Sequence, residues 1–288
     1  MESFEITEHK IPLTETPEFL VKSTKSKVAN KHSMMLAIPS TGLVRYEWHL
    51  AMMSIVVPVV LNWDRRVRPL LYSGPVGYHV AEARNLLVMD FLNTADIEWL
   101  FFIDHDVLPH PFTYAFMLEH MREKKYPIVS GLYYTKGYPT SPLIFRGRGE
   151  GPYLDWTPGD IVKVDGVVMG MTIIHRSILE YMWKNSPERI TIDGQVIREV
   201  FRSPRDFYLD PEAMEIGSYC GTEDLWFCEC LMKQGVFEKT GWSHLKDDPY
   251  PFLTDTRINC KHIDGSGRMY PDYVLNVQHS EFSSNAKS

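Results

Sequence analysis

The sequence predicts an α/β protein: a mostly parallel, doubly wound central sheet with helices on both faces, continuing into a mixed second half. Three observations predict it. Short apolar runs alternate with amphipathic stretches in the order β-α-β-α-β-α-β as far as about residue 146. The run Trp99–Ile103 is apolar at every position, as a strand buried on both faces must be. It ends abruptly in Asp104-His105-Asp106, and a carboxylate pair past the carboxyl end of a strand lies where open α/β sheets place their ligands.

Each element has its own local reason. Met34–Ile38 is a first buried strand, and Pro39-Ser40-Thr41-Gly42 breaks it into a loop at its carboxyl end. Arg45–Val57 has helical character up to Pro58, and Val67–Tyr72 is a second strand closed by Ser73-Gly74-Pro75. Gly77–Asn93 is a helix whose apolar stripe is Val80, Ala83, Leu87, Val88 and Phe91. Arg84 falls inside that stripe. A buried guanidinium needs an anion, so Arg84 meets either an internal carboxylate or a ligand's diphosphate.

After Asp106, Pro109 and Pro111 end the extended run, and Phe112–Glu123 is a helix. Pro127–Thr135 and Leu143–Arg146 are expected strands. Arg146–Gly159 is a Gly/Pro-rich excursion, and Ile161–Ile174 is strand-like but interrupted by Gly166 and Gly170. Those glycines mark a bulge or a close approach of backbone to ligand. Arg176–Lys184 is a short helix, and Ile190–Ile197 a hairpin about an Asp193-Gly194 turn.

Ser203–Cys220 is polar and long enough for a mobile lid. Thr222 is placed to cap a helix from Glu223-Asp224 to Gly235, with Asp224 on the inward face beside Phe227, Cys228 and Leu231. The helix dipole favours a charged carboxylate there. A late strand is expected over Phe237–Ser243.

Composition narrows the function. At 288 residues, 44% hydrophobic and 12% aromatic, the chain can bury a large core. A formal net charge of −7 argues against an electrostatic grip on nucleic acid. Cys220, Cys228, Cys230 and Cys260 form no Cys-x-x-Cys pair, which points to a reduced, cytoplasmic chain without a zinc site. The longest apolar run, Ser54–Leu61, is too short to span a bilayer. The domain plan is an arm over 1–32, one catalytic domain over 33–265 divided near 146, and a tail over 266–288. No Gly-x-Gly-x-x-Gly or Walker loop supports a dinucleotide or P-loop enzyme.

One set of motifs remains, in a fixed order: the Pro39-Ser40 loop, Ala83-Arg84-Asn85, Asp104-His105-Asp106, Asp165-Gly166 with Gly170, Glu223-Asp224, and Cys260-Lys261-His262. In that order the chain resembles the GT-A superfamily of nucleotide-sugar glycosyltransferases, most nearly its soluble, family-2-like members. The resemblance covers about residues 34–262. It implies a GT-A-like fold with a Rossmann-like nucleotide half over 33–146 and an acceptor half over 147–265.

It also implies roles. Asp104, Asp106 and His262 would hold a divalent ion, Mn²⁺ or Mg²⁺, against the diphosphate of a sugar nucleotide, most often a UDP-sugar. Asp106 would be the direct ligand, and Asp104 would lie nearer the ribose. Pro39, Ser40 and Thr41 would meet the nucleobase, and Arg84 the nucleotide or its phosphates. Asp224, with Glu223 beside it, would serve the acceptor as base. His105 is an unusual middle residue with possible reach to metal or sugar, and His244 competes with His262 as the late ligand. The acceptor is open among glycan, protein, small molecule and modified base. Tyr133, Tyr134, Tyr138, Tyr153 and Trp156 stack on it or belong to the core. A nucleotidyltransferase, or a non-catalytic sugar- or protein-binding relative, would use the same scaffold differently.

Overall fold

A computed structural model describes residues 34–60, 70–73, 76–147, 151–210 and 215–272. The expected arm over 1–32 and most of the expected tail lie outside these residues. Strands β1 (Met34–Ile38) and β3 (Trp99–Ile103) are buried at every position, as their unbroken apolar runs require. Alternate side chains serve opposite layers. Met34, Leu36, Ile38, Trp99, Phe101 and Ile103 join one core, while Met35, Ala37, Leu100 and Phe102 join the other. Burying one such aromatic ring contributes about 1.5–3 kcal/mol, so neither layer can peel away cheaply.

Helices α1 (Tyr46–Val60) and α3 (Thr113–Glu123) contribute Trp48, Met52, Met117 and Met121 to the first core. Helices α2 (Val80–Asn93), α4 (Arg176–Asn185), α5 (Glu223–Lys233) and α6 (Val236–Lys239) supply the second. The sheet between them has seven strands in the order β2-β1-β3-β7-β5-β12-β6. Here β2 is Leu70–Ser73, β5 Ile128–Leu132, β6 Ile161–Val164, β7 Met171–His175 and β12 Phe252–Asn259.

Strands β1, β2, β3, β5 and β12 run one way, and β6 and β7 run the other. The sheet is therefore mixed rather than mostly parallel throughout. The predicted Ile161–Ile174 segment is two strands on different parts of the sheet, β7 wedged between β3 and β5 and β6 on the far edge. The break at Gly166–Gly170 allows that separation.

Other expectations are corrected. Helix α1 continues through Pro58 to Val60, since a proline so near the end forfeits few bonds. Leu143–Arg146 is no strand; only the bridges Tyr134–Pro142 and Phe145–Gly166 form there. Where a loose lid was expected, β10 (Arg205–Asp210) pairs antiparallel with β11 (Glu215–Cys220). Phe237–Ser243 is α6 and a following turn, because Gly235 and Gly241 both take positive φ and curl the chain. The late strand is β12, which begins at Phe252. The predicted hairpin stands as β8 (Glu188–Ile190) and β9 (Val196–Arg198) about Gly194 at φ 85°. Among the described residues no helix is long and apolar enough to cross a membrane.

Candidate functional site

Two small pairings bring the motifs together at the carboxyl end of β3. Strand β4 (Val107–Leu108) follows the acidic loop and pairs with β13 (Lys261–Ile263), setting His262 opposite Val107. Strand β14 (Met269–Tyr270) then pairs with β13, beyond the boundary at 265. The Ile263 amide donates to the Asp106 carbonyl at 2.8 Å. On the other side, β7 begins beside Ile103, and the Asp104 amide donates to the Gly170 carbonyl at 2.9 Å. Trp48 Nε1 donates to the Asp104 carbonyl at 2.9 Å, so the acidic loop is held by two main-chain partners and one indole.

Arg84 is 1% exposed, and each of its three nitrogens donates to a carboxylate. Nη1 and Nη2 donate to Asp104 Oδ1 and Oδ2 at 3.0 and 2.9 Å, and Nε donates to Glu223 Oε1 at 3.1 Å. Its guanidinium carbon lies 5.1 Å from the Phe102 ring centroid. Burial disfavours the charge, but Asp104 and Glu223 outweigh it and hold the guanidinium further above its ordinary range. Arg84 thus meets internal carboxylates and no open surface. Asp104 accepts from Arg84 on both of its oxygens.

Gly170 has a packing reason. An added Cβ would lie 2.5 Å from Tyr133 Oη and 2.9 Å from Asp104 Oδ2, while the Gly170 amide donates to Tyr133 Oη at 3.0 Å. At Gly166 a Cβ would meet Leu225 at 2.7 Å. At both glycines an added Cβ would collide with the protein's own atoms.

Glu223 and Asp224 open helix α5 in different surroundings. Glu223 is neutralised by Arg84. Asp224 is 9% exposed and accepts from the Met169 amide at 3.3 Å. Burial first, and the Glu223 charge second, push its carboxyl up to about 6, against Arg84, which pulls it down. The dipole of the helix start is overridden by burial, so Asp224 is a poised carboxyl rather than a permanently charged one. Thr222 is the N-cap residue, though its side chain makes no capping bond.

Asp106 is the open carboxylate of the loop, its side chain 28% exposed. Its Oδ1 lies 3.5 Å from His262 Nε2, and its Oδ2 accepts from Lys136. Burial would push this carboxyl up, but His262 and Lys136 outweigh that and hold it well below the carboxylate range. His262 Nδ1 lies 2.8 Å from the Tyr134 carbonyl. A carbonyl only accepts, so Nδ1 carries the proton and Nε2 faces Asp106. Among the described residues no three His, Cys, Asp or Glu side chains gather with metal-binding geometry; Asp106 and His262 are a pair.

The remaining predicted residues fall around this centre. His105 is engaged with the neighbouring loop: Nδ1 donates to the Pro39 carbonyl at 3.1 Å, and Nε2 lies 3.4 Å from Thr41 Oγ1. It therefore clamps the Pro39–Thr41 loop. Ser40 Oγ accepts from the Gly42 amide at 3.0 Å. His244 donates to the Lys125 carbonyl at 2.8 Å, at the far end of α3. Tyr133, Tyr134 and Trp156 are core, while Tyr138 is 84% exposed. Sequence reading missed Lys136, a lone lysine in a turn, which carries no motif. A shallow cavity of about 240 Å³ beside Tyr126, Lys163 and Leu253 lies at the opposite end of the sheet and shares no residue with this cluster.

No protein-family model matches the sequence, and no curated protein matches it. Among solved structures, the crystal structure of A197 from STIV aligns over 86% of this chain and 98% of its own, at 18% identity and a TM-score of 0.47. A likeness that distant carries no functional argument. The residues must carry it.

Proposed function

We propose that the chain transfers a sugar from a nucleoside-diphosphate donor to an acceptor hydroxyl. The observation that carries this reading is the Arg84 bridge: it ties the acidic strand end to the start of α5, joining a partly exposed Asp106–His262 pair to a buried carboxyl poised near neutrality. Pairs of carboxyls whose surroundings drive their proton affinities apart divide the labour of acid–base and charge-stabilising chemistry.

The chemistry of the pair suits a divalent ion of the Mn²⁺ or Mg²⁺ kind, which takes one carboxylate and one imidazole and fills its shell with phosphate oxygens and water. Asp106 and His262 would hold it, with the Tyr134 carbonyl fixing the imidazole tautomer. Bound there, the ion would supply charge neutralisation for the departing diphosphate. Asp224 accepts the acceptor hydroxyl's proton as that oxygen bonds the anomeric carbon and the bond to diphosphate breaks. Glu223, spent on Arg84, orients the start of α5. His105 holds Pro39, Ser40 and Thr41 at the mouth, where a nucleobase would lie. A UDP-sugar is the first donor to test; glycans, proteins, small molecules and modified bases are the acceptor classes.

The experiment is release of nucleoside diphosphate from a panel of sugar nucleotides, with Mn²⁺ or with chelator. Mn²⁺-stimulated release is expected from the native chain and is expected to vanish in Asp106→Ala, whose melting temperature stays close to native. A native chain that binds and cleaves no sugar nucleotide refutes the proposal. Full activity of Asp106→Ala under chelator refutes the metal assignment.

A further inference from the structure

Lys136 sits in a stapled turn after β5. The Thr135 amide donates to the Ser141 carbonyl at 2.9 Å, the Ser141 amide to Thr135 Oγ1 at 3.0 Å, and Gly137 takes φ 117°. That turn aims a half-exposed ammonium at Asp106 Oδ2, while His262 faces Oδ1 of the same carboxylate. One carboxylate therefore meets two side chains, one at each oxygen. Its neighbour Asp104 is already satisfied by Arg84, so Lys136 has no second anion in the acidic loop to turn to.

Resting on the glycosyl-transfer reading, we propose that Lys136 is a donor-binding residue with two partners in turn: Asp106 in the free protein, and the phosphate of the bound nucleotide in the loaded one. Beside a divalent charge held by Asp106 and His262, an ammonium on the same carboxylate is repelled, whereas the phosphate accompanying the ion offers it three acceptor oxygens. A lysine suits this exchange. It is a compact point charge on a flexible stem and needs no fixed fork geometry. Its pairing with Asp106 keeps the open carboxylate neutralised until the ligand arrives.

The proposal has a signature of opposite signs. In Lys136→Gln, Asp106 loses a competitor, so Mn²⁺ binding without nucleotide, read by electron paramagnetic resonance, should tighten about two- to five-fold, the scale of a partly exposed ion pair. In the same variant, UDP and GDP affinity with Mn²⁺ present, read by calorimetry, should weaken about ten-fold or more, the scale of one charge-assisted bond. Uridine, which has no phosphate, should bind unchanged, and Lys136→Arg should restore most diphosphate affinity. A Lys136→Gln chain whose Mn²⁺ affinity falls, or whose diphosphate affinity is unchanged, overturns the proposal while leaving glycosyl transfer standing. A native chain that binds neither Mn²⁺ nor a nucleoside diphosphate refutes both.

Discussion

Asp224→Asn removes a charge that the fold holds at a cost. The carboxyl is pushed from an ordinary 3.8 up to about 6, chiefly by burial. At about 1.4 kcal/mol per pKa unit, that difference is about 3 kcal/mol of destabilisation once the group is ionised. The sign follows from proton uptake. Between the unfolded and folded values the native state binds the extra proton, so stability is greatest below about pH 4 and declines as pH rises through 6. Asparagine cannot ionise, yet its amide oxygen still accepts from the Met169 amide.

The variant should match the native chain at pH 4 and exceed it by about 3 kcal/mol at pH 8, or about 6–12 °C in melting temperature for a chain this size. Urea titrations at half-unit pH steps read the difference directly. Turnover should fall on the order of 10²–10⁴ if Asp224 is the base, so stability rises as activity is lost. A variant equally stable at every pH, or weaker at pH 8, would show that the carboxyl is not strained and refute the burial argument.

Two further outcomes follow from the same cluster. Arg84→Leu should lose about 3–5 kcal/mol by urea unfolding, because Asp104 and Glu223 are left as unpaired, largely buried anions; native stability in that variant would show that the bridge is dispensable. Gly170→Ala should cost about 1–3 kcal/mol, since its Cβ meets Tyr133 Oη at 2.5 Å and Asp104 Oδ2 at 2.9 Å. Adding Tyr133→Phe should restore part of the loss, and a double variant no better than the single one would place the clash on Asp104 instead.

What was legible in the sequence was whatever rested on unbroken apolar runs and on one-residue anomalies. Trp99–Ile103 and the inward face of α5 were readable because the first is an unbroken apolar run and the second a 3.6-residue apolar stripe. Arg84 was readable as an anomaly, but not its partners, since Asp104 lies 20 positions away on another element and Glu223 lies 139 away. Strand β12 was invisible because Thr254, Asp255 and Thr256 are buried polar residues in its middle. Asp255 is tolerated there only because His120 and Arg257 meet its carboxylate, a fact of three dimensions. Lys136 could not be found from its neighbours, as an ordinary turn lysine looks the same.

The place of β12 in the sheet bears on how the chain is made. It is among the last strands synthesised, yet it lies between β5 and β6 in the interior of the sheet. Until it emerges, β5 presents an unpaired strand edge to its surroundings, the kind of surface on which nascent chains associate wrongly. The same final stretch carries His262 to Asp106, so the sheet closes and the acidic loop gains its imidazole in one late event. A ribosome-bound or truncated chain that stops before Phe252 therefore carries an adhesive edge and no finished site at the same time.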